Sequence, residues 1–184
     1  MRAWYPVLCT QGVISLAAQV DRPDALGQAL AGTRLLQRGA EEASFVRSAL
    51  ASDVRAARVA GRAYLVSASR LRGPDTIPTL LAAEGAAWPH TVQAEALLAL
   101  PTGQSTWALV EALDEAGQTH YWGEVPPFWV EGPDVERAMR ELVRHGRPHA
   151  ALDLAAAYAD KPDAPPATVV RDTLLAAARL APDA

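Results

Sequence analysis

The sequence predicts an all-α protein, and three observations lead to that prediction. Half of the 184 residues are hydrophobic, but only two are Phe and two are Met. Alanine, leucine and valine must therefore form the core, a composition that favours closely packed helices. Apolar residues also recur at helical spacing between prolines and glycines. Finally, no run of about four to eight residues has the alternation and the β-branched or aromatic enrichment of a strand.

Prolines mark where the candidate helices begin. A proline in the first helical turn loses no hydrogen bond, and its φ is preset for the helix. Such prolines open six segments: "DRPDALGQALA", "GPDTIPTLLAA", "WPHTVQAEALLAL", "GPDVERAMRELVRHG", "RPHAALDLAAAYAD" and "APPATVVRDTLLAAARL". Glycines near the opposite ends are placed to act as left-handed C-caps, and these are Gly32, Gly73, Gly85, Gly117 and Gly146.

Between these marks, apolar residues repeat every three or four positions and give each segment one apolar face. Glu136 and Arg140 are four residues apart on a polar face and can form an ion pair. We predict about nine or ten helices of about 8 to 18 residues. The apolar faces of the last three are Val135, Ala138, Met139, Leu142 and Val143; Ala150, Leu152, Ala155 and Ala156; and Val169, Val170, Leu174, Leu175 and Leu180.

The spacing of the prolines predicts helical hairpins. Pro74 and Pro89 are about 15 residues apart, as are Pro133 and Pro148, which gives a two-helix period of about 30 to 35 residues. We therefore predict an irregular antiparallel helical array that is α-solenoid-like, with a compact helical bundle as the alternative. Residues 1–184 are expected to form a single all-helical domain, with a softer division near 72–75.

Composition also bears on the compartment. Cys9 is the only cysteine, so no intrachain disulfide can form and a reducing, cytoplasmic location is expected. We interpret the N-terminal apolar run as helical and not as a signal peptide. The sequence contains no stretch of about 18 or more apolar residues, so no membrane span is expected. Charge is divided unevenly along the chain. Residues 1–75 carry 10 basic and 6 acidic side chains, whereas residues 76–184 carry 7 basic and 15 acidic ones.

No motif identifies a reaction centre. The chain lacks the GxSxG, GxxxxGK[ST] and GxGxxG patterns that position a nucleophile or a phosphate. His120 and Glu124 are four residues apart and could act as a metal pair or as a base with its orienting carboxylate, but a metal site needs a third ligand. We predict no catalytic residue, no metal and no cofactor.

A second group of possible ligands lies near the end of the next helix. Glu141, His145 and His149 are also spaced by four residues. Gly146 and Pro148 interrupt that spacing, because they indicate a helix stop and a new helix start. His145 is better explained as a cation near a helix C-terminus, where the helix dipole favours positive charge. A small histidine-based or metal-independent enzyme remains an alternative function.

An arginine stripe is the strongest basic feature. Arg55, Arg58 and Arg62 share one helix face in "SDVRAARVAGRAYLVSASRLRG", where guanidinium groups could bind phosphates or an acidic partner. The alternative is that they pair with carboxylates of the acidic second half and pack along an alanine-rich surface. Because the net charge is −4 and no aromatic residue lies between Arg55 and Arg62, nucleic acid is not the expected partner.

An aromatic stretch, "THYWGEVPPFWVEGPDVERAM", is the other candidate binding surface. Trp122, Phe128 and Trp129 surround a Pro-Pro pair, and bulky rings of this kind are common both in cores and at interfaces. We predict a packed corner in which Trp107 meets Trp122 across a helical hairpin. A partly exposed groove for a protein partner is the alternative.

The stretch "LLALPTGQSTWALVEALDEAGQTHYWGEVPP" resembles degenerate α-helical repeat (HEAT/TPR-like) regions of large multidomain bacterial proteins, including defence and signalling NTPases. The resemblance rests on its Leu-Pro, Thr-Trp, Val and Tyr-Trp spacing and implies a sensing or scaffolding region. The chain carries no NTPase motif, and the tetratricopeptide and ankyrin patterns are absent. We therefore expect a protein-interaction or scaffold module, with a nucleic-acid-binding adaptor that uses the arginine stripe as a further alternative.

Overall fold

The computed structural model describes residues 5–33, 36, 39–127 and 130–180, with side chains from residue 10 onward. In these ranges the regular structure is helical and contains no strand, so the all-α prediction is confirmed. Short 3-10 turns occupy Gly85–Ala87 and Gly132–Asp134. The α-helices are α1 (Tyr5–Ala17), α2 (Pro23–Gly32), α3 (Ala40–Leu50), α4 (Arg55–Arg72), α5 (Thr76–Glu84), α6 (His90–Leu97), α7 (Gln104–Glu111), α8 (Glu115–Glu124), α9 (Val135–Arg144), α10 (Pro148–Tyr158) and α11 (Ala167–Leu180).

Proline and glycine set several of these boundaries. Pro23 and Pro148 are the first residues of α2 and α10, as the sequence predicts. Gly73 and Gly146 follow α4 and α9 with φ of 111° and 76°, values at which a side chain would be strained.

The C-cap prediction is wrong for Gly117. This glycine lies in the first turn of α8, where its N–H donates a 2.8 Å hydrogen bond to the Asp114 carboxylate at the N-cap. Gly32 and Gly85 do not have positive φ. Their position near a helix end is therefore right, but their backbone does not require glycine.

The chain forms two compact units, Met1–Leu100 and Pro101–Ala184. Residues 72–75, where the sequence suggested a softer division, lie within the first unit. The formation of one cooperative domain by residues 1–184 stays a prediction. None of the described helices combines the length and apolarity that a membrane crossing requires.

In the first unit, α2 packs very closely on α4. A Cβ placed on Gly27 would lie 2.1 Å from the Ala60 carbonyl oxygen, so only a residue without a side chain permits this approach. The neighbouring core contains Phe45 and Tyr64, whose rings meet edge to face with centroids 5.3 Å apart. Close helix contact and a few rings thus compensate for the scarcity of large apolar residues.

A buried carboxylate joins α3 to α4. Glu42 is only 4 % exposed and accepts hydrogen bonds from both terminal nitrogens of Arg72 and from the Tyr64 hydroxyl. The Glu42 contact raises the pKa of Arg72. Because the charge is paired and bonded on both oxygens, its burial is tolerated and fixes the register between the two helices.

In the second unit, α9 buries most of the face that the sequence predicts, although Val143 is partly exposed. Val135, Ala138, Met139 and Leu142 are each no more than 1 % exposed. On the outer face, Arg140 donates to Glu136 at 2.7 Å, which confirms the predicted i,i+4 pair. The helix then packs against α10 and α11.

The prediction for α10 is partly wrong. Ala155 of the predicted face is buried, but Ala150 and Leu152 are half-buried and Ala156 is exposed.

The prediction for α11 is also partly wrong. This helix buries Val169, Thr173 and Ala177, whereas Leu174, Leu175 and Leu180 are 52 %, 53 % and 58 % exposed. Adjacent residues are about 100° apart around a helix, so Leu174 and Leu175 cannot both share the face of Val169. The helix therefore turns small side chains towards the core and large apolar ones outward.

Candidate functional site

The aromatic stretch forms a packed corner at Trp122. Its ring lies 5.5 Å from that of Trp107, centroid to centroid, and 5.4 Å from that of Tyr121 in an edge-to-face arrangement. His145 stacks on it with an interplanar angle of 14°. Trp122 is 4 % exposed, so the predicted contact across the α7–α8 hairpin is confirmed and almost none of the ring is accessible to a partner.

Backbone capping holds the chain as it leaves α8. Arg147 Nη1 donates to the carbonyls of Trp122 and Val125, at 2.8 and 2.9 Å. These oxygens have no helical donor at a C-terminus and need such a partner. Phe128 and Trp129, which the sequence also marks as partner-binding candidates, lie outside the described residues.

Burial controls the titration of the rings in this corner. It raises the pKa of Tyr121 to about 12, which keeps the phenol neutral. It also lowers the pKa of His145, an effect that nearby Glu141 opposes. The direction of this shift contradicts the expectation that His145 is a cation near a helix C-terminus, because desolvation disfavours the charged ring more than the nearby carboxylates favour it.

The other histidines do not assemble with His145 into a ligand cluster. Glu141 Oε2 lies 3.7 Å from His145 Nε2, while His149 is exposed at the start of α10. His120 and Glu124 both lie in α8. Among the described residues, no group of three His, Cys, Asp or Glu side chains is placed to hold a metal ion.

The arginine stripe is engaged with a buried carboxylate. Glu95, in α6, is 2 % exposed. Its Oε1 lies 3.4 Å from Arg58 Nε, and its Oε2 lies 3.5 Å from Arg62 Nε. This arrangement matches the alternative in which the arginines pair with the acidic second half of the sequence. Arg55 remains exposed at the start of α4.

The first unit contains a small polar cleft of about 340 Å³. Ser44, Arg47 and Ser48 of α3 line one side, Glu84 lies at the end of α5, and buried Trp88 is also part of the wall. The cleft holds opposite charges and hydroxyl groups, so its lining does not favour an apolar ligand.

A larger, apolar groove of about 540 Å³ lies between α10 and α11 in the second unit. Alanines of both helices and of the connecting loop line it, and Leu174 is its largest half-exposed side chain. Arg171 is the charged residue in the lining. Leu152, Ala155, Ala156, Pro165 and Val170 also belong to this α10–α11 groove.

Sequence reasoning missed the α10–α11 groove because it assigned the apolar residues of both helices to a buried core. One signal was present in the sequence. Val169, Val170, Leu174 and Leu175 occupy too wide an arc of a helix to face a single neighbour. Which part of that arc stays open depends on where α9 and α10 pack, and the helical periodicity does not contain that information.

Comparisons with known proteins add no assignment: no protein-family model matches the chain, and no curated protein or solved structure is significantly similar to it.

Proposed function

We propose that the chain is a non-enzymatic protein-interaction or scaffold module that works in the cytoplasm and binds a protein partner through the α10–α11 groove. The observation that carries this proposal is the orientation of α11. Its Leu174 and Leu175 are more than half exposed, while Thr173 and Ala177 face inward. A helix that places its larger apolar side chains in solvent is typical of a surface that another protein covers.

Leu174 belongs to a continuous apolar surface. Isolated exposed leucines are common on any protein and need no explanation. Here Leu174 adjoins Leu152, Val170 and a series of alanines in one groove. Covering such a surface releases about 25 cal/mol for each Å² of apolar area removed from water.

The other candidate surfaces offer less to a partner. Trp107 and Trp122 are 0 % and 4 % exposed, and the Trp122 ring already contacts Trp107, Tyr121 and His145. Arg58 and Arg62 are already engaged with Glu95. A nucleic-acid-binding adaptor would have to break those ion pairs or rely on the remaining exposed arginines.

Site-specific photo-crosslinking in cells that naturally express the protein tests the proposal. Ala156 is exposed and lines the groove, so a benzophenone amino acid at this position should yield a discrete adduct with a protein partner. Adding Leu174→Asp should remove that adduct, because it replaces an apolar side chain that the partner covers by a carboxylate that would lose its hydration on binding. The adducts are detected by immunoblotting and identified by mass spectrometry.

Leu71 provides the matched control position. It is 66 % exposed and lies on α4 in the first unit, so the same probe there should not yield the adduct. The absence of a discrete adduct at Ala156 would contradict the proposal. An adduct that survives Leu174→Asp, or that also forms at position 71, would contradict it equally.

A further inference from the structure

We infer that the occupant of the α10–α11 groove is an amphipathic helix of another protein, with leucine-sized side chains on one face and basic residues beside that face. This inference rests on the proposed function and specifies the partner for the same surface. It follows from the shape of the groove, from the helical walls that form most of it and from the charges around it.

The shape of the groove suits a third helix. Ala155, Ala156 and Ala159 line it on the α10 side, and Ala164 and Ala167 lie in and after the connecting loop. Helices approach to about 8 to 10 Å depending on the side chains between them, and alanines permit the closer end of that range. A groove of about 540 Å³ with such walls can receive large apolar side chains from an incoming helix.

Backbone chemistry favours a helix over an extended segment. Extended peptides bind well where a sheet edge offers unpaired N–H and C=O groups. Most of the lining here belongs to two α-helices, which offer an extended peptide no sheet edge to pair with. An extended peptide buried against this apolar lining would leave its own backbone groups without partners, whereas a helix satisfies them internally.

The charges near the groove favour a basic partner. Arg171 is paired with Asp172 at 2.9 Å, and the Lys161 ammonium lies 3.7 Å from the centre of the Tyr158 ring. Exposed Asp153 and Asp160, in α10 and the turn after it, have no ion-pair partner in the described part of the chain. Residues 101–184 carry 13 acidic and 7 basic side chains. An incoming cation would therefore be attracted and an incoming anion repelled.

The same charges argue against a second copy of this chain as the occupant. Two copies would bring two acidic second units together, each with a formal charge of −6 from its 7 basic and 13 acidic residues. Like charges at an association surface oppose encounter. Self-association is accordingly an outcome that would overturn the inference.

Binding of designed peptides to the full chain tests the inference. The probes are three labelled peptides of ~18 residues, long enough to form an amphipathic helix on binding: leucine–lysine at helical spacing, leucine–glutamate at the same spacing, and leucine–lysine scrambled. Fluorescence anisotropy measures affinity, and circular dichroism measures the helix gained by the peptide. We expect the first peptide to bind and become helical, and the other two to bind at least about tenfold more weakly.

Two pairs of variants locate the binding. Leu174→Ala should weaken binding by about tenfold, whereas Leu175→Ala should not, since Leu175 is equally exposed on the same helix but does not line the groove. Asp153→Asn with Asp160→Asn should weaken binding several-fold, with a smaller effect at high salt. Glu124→Gln with Glu131→Gln makes the same charge change at exposed sites of the same unit and should have little effect.

The outcomes separate this inference from the proposed function. If Ala156 crosslinks to a partner but no peptide binds, the helical partner is wrong and the interaction function stands. If Leu174→Ala and Leu175→Ala weaken peptide binding equally, the peptide does not occupy the groove and the inference is wrong, whereas the crosslink at Ala156 still tests the interaction function. Equal binding of the lysine and glutamate peptides would contradict the charge selectivity. A concentration-dependent dimer in analytical ultracentrifugation that Leu174→Ala dissociates would replace the helix by a second copy. Peptide binding without any crosslink would contradict the cellular function alone.

Discussion

His145 lies one residue beyond α9, where the sequence indicates a protonated side chain that interacts with the helix dipole. In the folded chain, only 9 % of its side chain is exposed, and the ring stacks on Trp122. Removing water from the ring disfavours its charged form. Glu141 and Glu115 favour the charge and Arg144 opposes it, but burial dominates and lowers the pKa.

This shift predicts that acid weakens the second unit. Because the folded state holds His145 neutral more strongly than the unfolded state does, the unfolded chain binds more protons. The free energy of unfolding is highest above the unfolded-state pKa of about 6.5. It decreases as the pH falls from there towards the lower pKa that His145 has in the folded state. We expect the melting temperature to decrease more between about pH 7.5 and about pH 5.5 in the wild type than in His145→Gln.

NMR titration of the His145 ring provides a direct measurement. A midpoint below that of a histidine in a short peptide is expected. A midpoint at or above about 6.5 would contradict the prediction and would restore the interpretation of His145 as a helix-terminal cation. The change of melting temperature with pH is compared between wild type and His145→Gln. The glutamine variant loses the packing of the imidazole ring at every pH, so a difference in this pH dependence reports the titration of His145.

At the scale of the elements, Gly27 sets how closely α2 and α4 approach. The intrinsic helix propensity of glycine is poor, so the sequence alone suggests that alanine at this position would stabilise α2. The packing makes the same substitution destabilising, because a Cβ on residue 27 would lie 2.1 Å from the Ala60 carbonyl oxygen and 2.9 Å from the Tyr64 backbone nitrogen. Backbone atoms cannot rotate away from such a contact.

We therefore expect Gly27→Ala to destabilise the first unit by about 1 to 3 kcal/mol, the range for overpacking a tight interior. Urea unfolding followed by circular dichroism measures this change. Gly32→Ala is the matched control, since Gly32 ends the same helix and a Cβ there would meet nothing within 4 Å. The control should be neutral or slightly stabilising. Equal effects of the two substitutions would show that propensity, and not the helix crossing, governs residue 27.

For the whole molecule, the two compact units divide the buried residues between them. Phe45, Leu65 and Ile77 are fully buried in the first unit, and Trp107, Met139 and Leu154 are fully buried in the second. With so few bulky side chains in the chain, each unit depends on a small number of large anchors. Loss of one anchor should therefore affect its own unit most.

Trp122→Ala tests that dependence. Removing this ring from among Trp107, Tyr121 and His145 should lower the free energy of unfolding by about 3 to 5 kcal/mol, a large part of the roughly 5 to 15 kcal/mol that stabilises a domain. Hydrogen exchange should show protection lost mainly in residues 101–180. Leu109→Ala, at a half-exposed position of α7, is the control and should change little.

Two results would alter this interpretation. Equal loss of protection in residues 5–100 would favour the single cooperative domain that the sequence predicts. A Trp122→Ala protein with nearly unchanged stability but without partner binding would make the aromatic stretch a recognition surface and contradict the packed corner.

The amino-acid sequence alone predicts the helical class, several helix boundaries, most of the buried face of α9 and the meeting of Trp107 with Trp122. These features depend on interactions between near neighbours, such as proline at a helix start, 3.6-residue periodicity, and a short turn that brings two helices together. Three further features are visible only in the folded chain: Glu95 pairs with Arg58 and Arg62, His145 is largely buried, and Leu174 lines an open groove. Each of these depends on which distant element covers a given face, and neither the period nor the composition of a helix specifies its neighbours.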